Sequence, residues 1–272
     1  MIPYPFTYHR ADSLSNAEAL LARMPDAKLL AGGHTLIPAM KLRLANPAAL
    51  IDISGLAELS LIRRDGDALS IGATATHAEV ANSDLVRSAI PGLAQLASEI
   101  GDPAVRHMGT IGGAVANNDP AADYPAGVLG LGATVKTTRR SIGADAFFTG
   151  MFSTALEEPE IVTEIVFPIP RRAAYAKFAN PASRYAMVGV FVAQMGSGVR
   201  VAVTGAGACV FRMPEMEAAL ERSFTPDSVA TISISPEGLN SDIHGSAEYR
   251  AHLVTVMAKR AVAAALESGR RE

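Results

Sequence analysis

An α+β chain in two or three pieces is the fold class this sequence predicts, and three observations predict it. Strand-like and helix-like runs alternate through the first fifty residues. Two apolar runs meet at the glycine turn Gly196-Ser-Gly198. A helical stripe closes the chain near Ser246–Leu266. With 272 residues the chain holds one to three domains and a core that needs no staples.

The elements follow in order. Ser13 and Ser15 are N-cap candidates for a helix around Asn16–Arg23. Lys28–Ala31 is a short strand that ends at Gly32-Gly33. Leu36, Ile37, Met40 and Leu44 then recur at helical spacing, with Pro38 in the first turn, and Leu50–Ile53 is the next strand. The opening therefore reads as βαβ. Ala68–Gly72 alternates like a strand, Thr76 caps a short helix through Val80, Asp84–Ser88 forms another, and Pro91–Ile100 a third. Gly101 to Asp123 is small, Gly-rich and without helix or strand periodicity. Tyr124–Leu131 resumes a helix, and Ala133–Thr138 and Glu160–Pro168 are strands. Pro168, Pro170 and Arg171-Arg172 mark the expected domain boundary. Beyond it, Tyr185–Met195 and Val199–Gly205 form a hairpin. Pro214–Arg222 is helical, and the last helix places Tyr249, Leu253, Val256, Met257 and Ala264 on one stripe.

Composition excludes several chemistries. The formal net charge is −3 with no basic tract, which argues against a nucleic-acid partner. One Cys excludes an internal disulfide, a Cys-rich zinc site and a four-Cys iron–sulfur cluster. The six His show no HxxxH, HxH or HExxH spacing, so no metal site is expected. There is no GxSxG elbow, and Cys209 reads as a core residue or a bystander. The N-terminus has no signal-peptide pattern, and the longest uncharged apolar stretch is too short for a bilayer span, so a cytoplasmic location is expected.

Two loops carry the chemistry: Ala31-Gly-Gly-His-Thr35 and Gly109-Thr-Ile-Gly-Gly-Ala114. Adjacent glycines let a backbone approach a ligand, and consecutive N–H groups in such a turn make an anion-binding concavity. A following helix adds positive partial charge, and Thr35 and Thr110 each bring a hydroxyl. Neither loop matches GxGxxG or GxxxxGK[ST], and either one alone also serves as an ordinary tight turn. After the second loop come Asn117, Asn118, Asp119 and Asp123, polar groups suited to sugar hydroxyls or to an Asx-turn cluster.

The segments Ala-Gly-Gly-His-Thr-Leu-Ile-Pro (31–38), Gly-Thr-Ile-Gly-Gly (109–113), Asn-Asp-Pro-Ala-Ala-Asp (118–123) and Glu-Ile-Val-Thr-Glu-Ile-Val-Phe-Pro (160–168) resemble the FAD-binding medium subunits of molybdenum hydroxylases, of the carbon monoxide dehydrogenase and xanthine dehydrogenase type. The resemblance covers nearly the whole chain. It implies a two-lobed FAD-binding domain of the vanillyl-alcohol-oxidase (PCMH) type over 1–170, with lobes of about 1–53 and 54–170. A small α+β flavoprotein C-terminal domain over 171–272, an antiparallel sheet with helices, would follow. It also implies a cofactor site. Ala31, Gly32, Gly33, His34 and Thr35 would wrap the diphosphate together with Thr110, Ile111, Gly112, Gly113 and Ala114, with Leu30 and Leu36 also in the site, and Ile111 would lie near the isoalloxazine. Asn117 and Asp123 would follow, with Asp123 meeting the flavin's polar chain. Gly101 would line the site, Val162 would pack near the adenine end, and Lys177 would lie near the ring. The residues by themselves favour a solvated surface Lys177.

The resemblance further implies an oxidoreductase subunit with no general acid or base, passing electrons through FAD from iron–sulfur clusters to an external acceptor. Molybdopterin would sit in a large partner subunit and iron–sulfur clusters in a small one, in a dimer of heterotrimers. The alternative is a free-standing FAD-dependent oxidoreductase of the same fold. Asn117-Asn118 stands where carbon monoxide dehydrogenases resemble His-Gly, and in this the sequence looks more like relatives acting on aromatic heterocycles, purines or aldehydes.

Overall fold

The computed structural model describes residues 2–268. Three larger sheets and a two-stranded ribbon, Phe148–Gly150 with Ser153–Thr154, make up the strand content of the described residues. The first is wholly parallel and places Ala49–Asp52 between Thr7–Arg10 and Ala27–Leu30. The crossover from Ala27–Leu30 to Ala49–Asp52 carries the helix Leu36–Lys41, so the βαβ reading holds. Leu14–Arg23 begins two residues before the expected Asn16, and of the two expected caps it is the Ser13 hydroxyl that accepts from the Asn16 amide. Leu44 does not extend the Leu36 helix. The helix stops at Lys41, Arg43 takes a left-handed φ of 61°, and Leu44 lies exposed.

The second sheet is antiparallel, in the order Ile62–Asp65, Ala68–Gly72, Val162–Pro168, Thr134–Thr137, Ser141–Gly143. Helices His77–Asn82, Asp84–Ala89, Pro91–Ser98 and Tyr124–Gly130 contribute to its core. The first of them is fixed by a capping box in which Thr76 and Glu79 satisfy each other's backbone N–H. The stretch 101–123, read as aperiodic, contains two helices, Pro103–Arg106 and Ile111–Asn117. Caps and close packing hold these helices in place of an apolar stripe. Asp102 and Thr110 are side-chain N-caps, and Gly112 sits against Ala73, where a β-carbon would come within 2.5 Å of the Ala73 methyl.

The third sheet runs Arg172–Ala179, Ala186–Met195, Gly198–Thr204, Phe211–Arg212. Met195 pairs with Gly198, which leaves Gly196-Ser197 as a two-residue hairpin turn. Both faces of this sheet are covered. Tyr175, Phe191, Ala193 and Ala202 join the core of the second sheet, while Val188, Val190, Val192, Val201 and Val203 pack beneath the helices Pro214–Arg222 and Ala247–Ser268. The Pro168–Arg172 connection thus joins strands of different sheets without interrupting the packing.

The last helix is rotated from its expected stripe. Tyr249 is exposed, whereas Arg250, Leu253, Val254, Met257, Ala258, Ala261 and Ala265 are buried. The alanines let the helix approach the sheet closely, and a reading weighted toward large side chains overlooks them. No helix among the described residues is long and apolar enough to cross a membrane.

Candidate cofactor-binding site

Both N-terminal lobes line one cavity of about 1750 Å3, with residues 183–185 of the C-terminal part at its edge. This exceeds the ~300–1,000 Å3 usual for small-ligand pockets and suits an extended ligand. Of the residues expected at the site, Ile111 and Lys177 do not line the cavity, and all the others do.

The first loop joins the end of Ala27–Leu30 to the start of Leu36–Lys41. Among the described residues, the amides of Gly32, Gly33, His34, Thr35 and Leu36 find no acceptor within the chain. Five consecutive donors on a cavity wall have the chemistry to hold an anion, since each is free to donate to water or to a ligand.

The second loop works differently from the expectation. Ile111 donates to the Ala75 carbonyl, Gly112 to Ala73, Gly113 to the Thr110 hydroxyl and Ala114 to the Thr110 carbonyl. These amides are consumed by pairing with residues 73–75 and by the helix cap, so this loop offers a thin backbone in place of free donors. The Ile111 side chain is fully buried in the core and does not line the cavity.

The two loops touch. A β-carbon on Gly32 would stand 2.0 Å from the Met108 carbonyl oxygen and 2.9 Å from the Gly109 α-carbon. Only a residue without a side chain permits that approach.

Asp123, like Glu160, is a buried carboxyl on the cavity wall. Its carboxylate accepts from the Tyr175 hydroxyl at 2.5 Å and from Lys177 Nζ at 3.2 Å, and Nζ also donates to the Glu99 carbonyl at 2.8 Å. Burial pushes the Asp123 carboxyl above its ordinary range, against the opposing pull of Lys177 and Tyr175. An ionised Asp123 is the form that leaves neither the buried ammonium nor the carboxylate unpaired. Lys177 is thus a buried partner of Asp123, contrary to the solvated lysine the residues alone favoured, and it reaches the cavity only through that carboxylate. The C-terminal sheet pins the loop that carries Asp123. Thr204 Oγ1 donates to the carbonyls of Pro120 and Ala122, and the Gly205 amide donates to Pro120.

Asn117 lines the cavity, but Asn118 does not. Asn118 sits at φ 43°, buried, and its amide nitrogen donates to the Gly150 and Ser153 carbonyls. Asn and Gly are the residues that take this left-handed conformation readily. An Asn in place of Gly at this position therefore keeps the left-handed turn.

Val162 lines the wall with Leu156, Pro159 and Ile161, which alternate with Glu157, Glu158 and Glu160. Many further residues line the cavity, among them Gly109 of the second loop and two that the sequence reading did not place there, His77 and Tyr124. Burial, with His34 and Arg106 adding repulsion, pulls the His77 imidazole down to about 4, so it is neutral at neutral pH. Its Nδ1 and the Tyr124 hydroxyl are buried without a partner. Gly109 opens the second glycine motif and was within reach of sequence reasoning. His77 and Tyr124 carried no signal, since either type also serves as ordinary core.

These features fit a dinucleotide flavin: free amides for a diphosphate, a glycine contact that only a bare backbone allows, a carboxylate for hydroxyls, and a cavity of ample volume. The class these features fit is a two-lobed flavoprotein. Residues 4–170 match the family described as the FAD binding domain in molybdopterin dehydrogenase. The chain is 37% identical to the carbon monoxide dehydrogenase medium chain of Hydrogenophaga pseudoflava, over 97% of this chain and 98% of that one. It is 35% identical to the nicotine 6-hydroxylase medium subunit of Paenarthrobacter nicotinovorans, over 97% of each. Among solved structures, a chain of reconstituted CO dehydrogenase from Oligotropha carboxidovorans superposes with a TM-score of 0.92 at 34% identity, covering 100% of both chains. The chain belongs to this family and is an FAD-binding oxidoreductase subunit of the molybdenum hydroxylase type.

Proposed function

We propose that the cofactor's diphosphate lies against the amides of Gly32 to Leu36, that its polyol chain meets Asp123, and that Val162 marks the adenine end. The observation that carries this reading is the row of five unpaired amides where the two glycine loops touch. In this reading residues 1–170 form the cofactor-binding unit, with lobes 1–53 and 54–170, and 171–272 form the unit that backs Asp123. When bound, the flavin supplies the redox chemistry, accepting electrons from a partner and releasing them to an external acceptor. The chain's own residues bind and orient it. The amides hold the anion, the second loop sets the depth of the cleft, and the buried Asp123–Lys177 pair fixes a charge beside it.

With one Cys the chain has too few thiols for a four-Cys cluster. Iron–sulfur clusters and molybdopterin therefore belong to separate small and large partner subunits, assembled as a dimer of heterotrimers in the cytoplasm. The alternative, a free-standing flavoenzyme, predicts turnover by this chain alone. Affinity purification from the native host, followed by flavin, iron and molybdenum analysis, tests the proposal. Two co-purifying chains that carry iron and molybdenum, with FAD on this one, are expected. A yellow chain that purifies alone and turns over a substrate overturns the subunit reading.

A further inference from the structure

Asp123 faces the cavity, yet the groups that hold it come from behind, on the Arg172–Ala179 strand. Tyr175 and Lys177 are two residues apart on that strand and so share a face. Tyr175 Oη donates to Oδ1 at 2.5 Å, and Lys177 Nζ lies 3.0 Å from Oδ1 and 3.2 Å from Oδ2. The neighbouring strand makes room for this hydroxyl. Gly189 pairs with Lys177, and a β-carbon there would stand 2.1 Å from Tyr175 Oη. Neither Tyr175 nor Gly189 lines the cavity.

A carboxylate has about four acceptor directions across its two oxygens. Tyr175 takes one on Oδ1 and Lys177 spans both oxygens, which leaves Oδ2 with an open direction. We propose that Tyr175 is a positioning residue for the cofactor site. Seated over Gly189, it locks Asp123 in one rotamer as an acceptor-only carboxylate, so that the open direction receives a hydroxyl of the flavin's polyol chain. Tyr175 does not touch the cofactor; it acts through Asp123. The inference rests on the reading of Asp123 given under Proposed function.

The test is FAD affinity of the full chain, stripped of flavin and titrated by fluorescence, in wild type, Tyr175→Phe, Asp123→Asn and the double variant. Tyr175→Phe keeps the ring and its packing. It is expected to weaken FAD binding about tenfold, the scale of one hydrogen bond to a charged group, with an unchanged circular dichroism spectrum. The double variant is expected to bind no more weakly than Asp123→Asn alone, because residues that act through one another are not additive. The pH profile separates positioning from general loosening. Loss of a hydrogen bond to the charged form moves the acid-side fall in affinity to higher pH in Tyr175→Phe. Gly189→Ala, which displaces the hydroxyl without removing it, is expected to reproduce the loss. Binding by Tyr175→Phe within twofold of wild type, or additive effects in the double variant, overturns the proposal. Wild-type binding by Asp123→Asn instead overturns the placement of Asp123 in the site.

Discussion

Gly32 meets the Met108 carbonyl so closely that a β-carbon would stand 2.0 Å from the oxygen. The two loops, about seventy-five residues apart in sequence, are thereby locked edge to edge along the cavity. Gly32→Ala forces backbone against backbone, and that separation is expected to weaken FAD binding more than tenfold and to destabilise the fold by about 1–3 kcal/mol, the range for overpacking. Gly196→Ala is the control, since a β-carbon there meets nothing within 4 Å. Flavin occupancy and thermal midpoints of the two variants, measured side by side, check the prediction.

Lys177 is the only cation within salt-bridge reach of the buried Asp123 among the described residues. Lys177→Met is expected to cost about 3–5 kcal/mol, because it strands a buried carboxylate. The further change Asp123→Leu in the Lys177→Met background removes the stranded charge and is expected to recover part of the loss. Urea midpoints of both variants test this, and equal stability of the two would contradict it.

His77 makes stability depend on pH. Its imidazole titrates at about 4 in the folded chain against an ordinary value of 6.5. Between those values the unfolded chain binds more protons, so stability is intact above pH 6.5 and falls as pH drops toward 4, by up to about 3 kcal/mol. His77→Gln is expected to flatten that part of the profile, as read from unfolding midpoints across the same window.

Asn118 tests whether the motif departure concerns fold or substrate. Asn118→Ala is expected to cost about 2–4 kcal/mol, from the left-handed backbone and the abandoned carbonyls of Gly150 and Ser153. Asn118→Gly keeps the backbone relaxed and is expected to cost less. Because Asn118 lies off the cavity wall, FAD affinity of the folded fraction is expected to be unchanged in both.

Much of the site was legible because glycine pairs and caps are local. Gly32-Gly33 at a strand end and Thr110 before Gly112-Gly113 mark the loops in any reading of the chain. Which loop donates was not legible. Both show the same residues, but only the structure pairs the second with residues 73–75 and leaves the first free. Tyr175 had a faint signal, two residues before Lys177 on one strand, yet nothing in the sequence states that Gly189 clears its path to Asp123.

The βαβ opening, the hairpin at Gly196-Ser197, the poverty of thiols and the two glycine loops were determined by the sequence itself, because hydrophobic period, turn chemistry and composition act over a few residues. The burial of Lys177, the core placement of Ile111 and the rotation of the last helix were decided by tertiary structure alone. Each depends on which surface from a distant part of the chain arrives to cover the residue, and that is a property of packing between elements.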